Sequence, residues 1–101
     1  MHARVTRGQS PTERIDEAIR GWSQMQQDVT TKQEGFRGNM LLVNRASGQW
    51  QIVGLWDTLE NINATATPAG SWEQMVECGD VLAVPTVEVL EVAAANPDPK
   101  R

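Results

Sequence analysis

From Phe36 to Trp56 the chain carries two short apolar segments around one tight-turn sequence, Asn44-Arg45-Ala46-Ser47-Gly48. The first contains the unbroken run Met40-Leu41-Leu42-Val43. In the second, read as a strand over 49–56, Trp50, Ile52, Gly54 and Trp56 point one way and Gln51, Val53 and Leu55 the other. A strand with one wet face alternates apolar and polar residues, whereas strands apolar on both faces need cover on both. Gly48 supplies the positive φ that the turn requires. A hairpin of this kind takes helices on one side and a second layer on the other. A second copy of the same sheet is the simplest such layer.

The flanking segments fit that frame. Residues 2–7 alternate, with Ala3 and Val5 on one face and Arg4 and Thr6 on the other, which predicts a first strand. Gly8 and Gln9 read as a connection. Ser10-Pro11-Thr12-Glu13 then opens a helix, with Ser10 as the cap and Glu13 reaching back to it. Ile15, Ala18, Ile19, Trp22, Met25 and Val29 form one apolar stripe at helical spacing, and the Gln and Thr residues fall on the polar remainder. The helix is expected to end between Lys32 and Gly35. Phe36–Asn44 is the second strand. Residues 58–66 predict a short helix, broken near Pro68. Ser71 can cap another through Trp72, Met75 and Val76, with Gly79 to end it. Val84–Ala93 reads as the last strand, with Pro85 at its start. The order β-α-β-β-α-β is the split pattern of an α+β ferredoxin-like sandwich. Residues 1–93 form the expected domain, and 94–101 read as a disordered tail.

Composition narrows the function. The net charge is −4 and the nine Lys and Arg are scattered, which argues against a nucleic-acid partner because phosphate binding needs a basic stripe. No stretch approaches the roughly 20 apolar residues that span a bilayer. The N-terminus lacks a signal-peptide core and Cys78 stands alone, so a reducing, cytoplasmic setting is expected. Cys78 has no histidine in its segment and reads as a small hydrophobe. Glu73 and Glu77 read as a solvated helix face. No phosphate loop appears, since Gly35-x-x-Gly38 is short and precedes a strand.

The order and spacing of three motifs carry a resemblance. Gly35-Phe36-Arg37-Gly38, the turn at 44–48, and Leu55-Trp56-Asp57-Thr58-Leu59-Glu60 followed by Ala64 resemble the middle of the antibiotic biosynthesis monooxygenase family. The resemblance covers about residues 2–93. It implies a dimeric α/β barrel, in which two ferredoxin-like sheets pack face to face as a homodimer. It also implies oxygenation of a small aromatic, quinol- or polyketide-like compound without a cofactor, or non-catalytic binding of such a compound by the same fold.

Within that resemblance Trp56 matches the family's strand-end tryptophan and is the candidate catalytic residue. Its indole can pack on a planar substrate and donate one hydrogen bond, or it can simply seal the sheet. Trp22, Asn39, Asn63 and Trp72 are candidate substrate contacts, with Arg4, Arg37 and Asn44 as further donors. Asn44 is better explained by turn geometry. The related heme-degrading branch needs an axial histidine from the second helical segment, and residues 58–80 contain none. The sole histidine, His2, reads as a terminal surface residue. No metal and no cofactor are expected.

Overall fold

A computed structural model describes residues 1–28, 32–64 and 85–97. Its elements run β1 (His2–Gln9), a 3-10 turn (Thr12–Arg14), α1 (Ile15–Asp28), β2 (Phe36–Val43), β3 (Gln49–Trp56), α2 (Leu59–Ala64) and β4 (Thr86–Glu91). The strands form one antiparallel sheet in the order β2-β3-β1-β4, which is the ferredoxin-like arrangement. The expected helix at 71–79, including Trp72, Met75, Val76, Cys78 and the Glu73–Glu77 pair, lies outside the described residues. So do Val29, Val84, residues 98–101 and the side chain of Met25.

The hairpin follows the sequence closely. Asn44 Oδ1 accepts from the backbone N–H groups of Ala46 and Ser47 at 3.0 and 3.3 Å, and the backbone of Asn44 pairs with Gln49 and Gly48. Asn44 is therefore a turn residue. Gly48 has φ +79°, and a Cβ there would lie 1.9 Å from the Ser10 carbonyl oxygen, so both backbone conformation and space demand glycine.

Partners across the ladder share a face, so the register sorts the sheet into two sides. Thr6, Gly8, Leu41, Val43, Trp50 and Ile52 face α1, and Ile15 and Ala18 pack there with Trp50 and Ile52. Ile19, Trp22, Leu41 and Val43 close that core. Gly8 belongs to β1, not to a connection, and the indole of Trp50 explains it: a Cβ on Gly8 would sit 2.3 Å from that ring.

The start of the first helix also differs from the expectation. Ser10 is fully buried, and its hydroxyl accepts the Trp50 indole N–H at 3.2 Å. Pro11 occupies the cap position with no side-chain cap bond, and regular α-helix begins only at Ile15. A buried indole N–H drew the serine away from the helix terminus, since an unpaired buried donor costs more than a missing cap.

The other face of the sheet holds Ala3, Val5, Met40, Leu42, Val53, Leu55 and Leu90, with Arg7, Gln51 and Glu88 toward one end. Met40 and Leu42 are 52% and 48% exposed. No helix of the described residues is long and apolar enough to cross a membrane.

Candidate functional site

The α1-facing side of the sheet changes character along β3. Trp50 and Ile52 lie in the apolar core, but beyond them come Gly54 and Trp56, and the residues alongside are polar. Cα partners of this stretch are Arg4 and Asn39 for Gly54, and His2 and Phe36 for Trp56. Trp56 is 2% exposed, and its ring lies back over Gly54, where a Cβ would come within 2.5 Å of it. Phe36 meets the ring edge-on at 5.5 Å between centroids, and the Arg4 guanidinium stands 4.8 Å from the ring centroid. This cation–π contact helps hold a charge that is otherwise poorly solvated. Burial pushes the Arg4 guanidinium below its ordinary value.

Across β2, the amide of Asn39 donates to the side-chain oxygen of Gln26, and Gln26 Nε2 donates to the Trp22 carbonyl at 3.2 Å. Gln26 was expected on the polar side of α1, yet it is buried. Its amide satisfies Asn39 and the helix backbone together. The indole nitrogens of both Trp22 and Trp56 are buried and have no hydrogen-bond acceptor among the described residues. Buried donors almost always find partners, so two orphaned indole N–H groups on one side of a small sheet call for an explanation.

The motifs that carry the resemblance meet at this end of the molecule. A β-bulge between Phe36 and Gly38 takes Arg37 out of the ladder. Arg37 then grips Asp57 with two bonds, Nε–Oδ1 at 2.6 Å and Nη2–Oδ2 at 3.0 Å, which raise the Arg37 pKa. The Asp57 N–H donates to Gly35 O at 2.8 Å. Thr58 caps α2, its hydroxyl oxygen accepting the Asn61 N–H at 3.0 Å. Gly35, at φ +76°, leaves room for the Asn61 side chain, whose Oδ1 would lie 2.2 Å from an added Cβ. Arg37 thus locks strand to helix, and its guanidinium is committed to Asp57.

Of the sequence candidates, the structure brings Trp56 and Asn39 to neighbouring positions on one face, whereas Trp22 packs against the apolar core and only its backbone carbonyl meets Gln26. Asn63 is exposed on α2, and Trp72 lies outside the described residues. His2 is not a terminal surface residue: it is half-buried in β1, with its Nδ1 buried and unpartnered. Arg4 is likewise buried. A cavity of about 400 Å³ opens instead at the hairpin end, between Arg7, Leu42, Gln49, Trp50 and Gln51. A smaller one of about 210 Å³ lies between Gln33, Glu34, Asn61 and Ala64. Trp56 lines neither. Among the described residues no group of three or more His, Cys, Asp or Glu could hold a metal ion.

No family model and no curated protein matches the sequence. Solved structures do match in three dimensions. A proposed antibiotic biosynthesis monooxygenase of Deinococcus radiodurans superposes with TM-score 0.72 at 16% identity, over 94% of this chain and 95% of that one. One from Bordetella bronchiseptica gives 0.72 at 14% identity, over 92% and 97%. The chain has the antibiotic biosynthesis monooxygenase fold. A mutant of SnoaB, a cofactor-independent oxygenase from Streptomyces nogalater, shares this fold with TM-score 0.64 at 15% identity, over 96% and 97%. At these identities the likeness speaks for the fold, and the chemistry has to be argued from the side chains.

Proposed function

We propose that this chain is a cofactor-independent monooxygenase-like protein acting on a small aromatic compound of the quinol or polyketide type. The observation that carries the reading is the pair of buried, acceptorless indole N–H groups of Trp22 and Trp56. Each orphaned donor costs about 1–3 kcal/mol, a cost that an incoming oxygen would remove. Arg4 and Asn39 lie on the same face. Donors together with a buried cation suit a planar ligand that presents a phenolate or enolate oxygen. Direct reaction with dioxygen calls for such an electron-rich anion, and fixed donors stabilise charge where it develops. SnoaB, which shares the fold, is itself a cofactor-independent oxygenase.

The working unit in this reading is a homodimer closed through the open sheet face. Met40, Leu42 and Leu90 stand exposed there, with half-buried Val53 and Leu55 and buried Ala3 and Val5 on the same face and the Arg7–Glu88 ion pair at 3.3 Å toward one end. Such a face, self-complementary about a two-fold axis, is the usual signature of an isologous interface.

A second reading, ligand binding without turnover, is favoured by the packing of Trp56. Its ring is already enclosed by Gly54, Phe36 and Arg4. Dioxygen uptake with an anthrone or a hydroquinone decides between the two. Uptake that slows about 100-fold or more in Trp56→Phe supports the oxygenase, on the scale of one lost transition-state donor. A tryptophan fluorescence change without uptake supports binding alone, and no response to either compound overturns both.

A further inference from the structure

The chain contains one histidine and no tyrosine. That histidine stands beside the candidate site. His2 is the Cα partner of Trp56 across the β1–β3 ladder, so the two side chains leave the same face of the sheet. Its Nδ1 is shut off from solvent and has no hydrogen-bond partner among the described residues. Arg4 follows two residues later on that face, with its guanidinium over the Trp56 ring. An imidazole nitrogen without a partner among the described residues, on the strand position paired with Trp56, whose indole N–H also lacks an acceptor there, makes a pair of polar groups that lacks a ligand rather than one stray orphan.

We infer that His2 is the proton acceptor of this site. Its imidazole takes the hydroxyl proton of a phenolic ligand held against Trp56, and this inference rests on the reading of the site as one for small aromatic hydroxyl compounds. In the transfer the ligand O–H bond breaks, its electron pair stays on oxygen and the proton bonds to Nδ1. Nothing is oxidised or reduced, and the total charge is unchanged. The resulting phenolate lies beside Arg4 and the indole donors, and the imidazolium lies next to the anion it has created.

The neighbouring groups leave this task to the imidazole. Glu91, the partner of His2 on β4, is exposed, as is Glu60 on α2. Asp57 is bound by Arg37. Arg4 and Arg37 are cations at this corner, and Arg37 is committed to Asp57. Carboxylates are too weakly basic to hold a phenolic proton, whereas imidazole ordinarily exchanges protons near neutral pH.

The test compares the full-length wild type with His2→Gln and His2→Ala in dioxygen uptake with an anthrone across pH 5–9. General-base catalysis contributes on the order of 10²–10⁴-fold, so His2→Gln is expected to lower kcat about 100-fold. The pH profile of kcat should differ in shape between wild type and His2→Gln, while KM moves by less than roughly threefold. Added imidazole should partly restore His2→Ala, which a merely structural role would not allow. An unchanged kcat and pH profile in His2→Gln overturns the inference and leaves the oxygenase reading standing. If wild type binds without turnover, 4-nitrophenol provides the readout. Its bound phenolate band at acidic pH should weaken in His2→Gln, and an equal band overturns the role. Wild type that neither binds nor turns over these compounds overturns the inference and the site reading together.

Discussion

The indole of Trp56 lies across Gly54, its same-face neighbour two positions earlier on β3, so closely that a Cβ on Gly54 would come within 2.5 Å of the ring. The same device recurs at Trp50, which covers Gly8 on the adjacent strand so closely that a Cβ there would come within 2.3 Å of the ring. Each tryptophan lies flat because a glycine leaves a slot beneath it. One slot serves the apolar core and the other the candidate site.

Gly54→Ala and Gly8→Ala therefore differ in consequence. Both overpack and should cost about 1–3 kcal/mol in urea unfolding. Gly54→Ala should also move the Trp56 ring and weaken ligand-induced fluorescence changes, and Gly8→Ala should leave the ligand response intact in the molecules that fold.

Ser10 serves Trp50, not the helix terminus. Ser10→Ala leaves a buried indole N–H unpaired and is expected to cost about 1–3 kcal/mol. In a Trp50→Phe background, which also removes the donor, the same substitution should cost much less. A double-mutant cycle reads this as a coupling between the two side chains, and additive losses would return Ser10 to a capping role.

Arg4 contributes to stability as well as to binding. Arg4→Met keeps the stem but removes a cation held at 9% exposure over the Trp56 ring, so folding stability should fall by about 1–3 kcal/mol. Affinity for a phenolic ligand should fall about 10–100-fold, the worth of one charge-assisted contact. Isothermal titration with a hydroquinone checks the second effect, and unfolding curves the first.

The open sheet face predicts its own failure mode. Wild type should sediment at twice the 11.2 kDa chain mass. Leu42→Glu, at an exposed position on the open-face side of edge strand β2, should give a folded monomer. A wild type that stays monomeric at micromolar concentration would remove the face-to-face arrangement.

The parts of the fold legible in the sequence are those governed by local rules. β3 falls at Gln49–Trp56 as read, because Gly48 and Asp57 bracket it and Trp, Ile, Val and Leu fill it. The Asn44 turn is equally local. Ser10 was misread because its local neighbourhood satisfies the capping pattern, while its actual partner lies 40 positions away. Gln26 was assigned to solvent by residue type, and only Asn39 on another element makes its burial favourable. Trp56 is a candidate through the family resemblance, and Trp22, Asn39 and Arg4 were named beside it as possible contacts or donors. His2 was passed over as a site residue because it is terminal. The signal available for His2 was compositional: it is the chain's one imidazole.

The most direct measurement follows the indole N–H resonances of the four tryptophans by ¹H–¹⁵N correlation while a hydroquinone or an anthrone is added. The Trp22 and Trp56 signals should move downfield as their protons gain an acceptor, while Trp50, already bonded to Ser10, stays in place. Saturating ligand that leaves both the Trp22 and Trp56 signals unmoved would contradict the account.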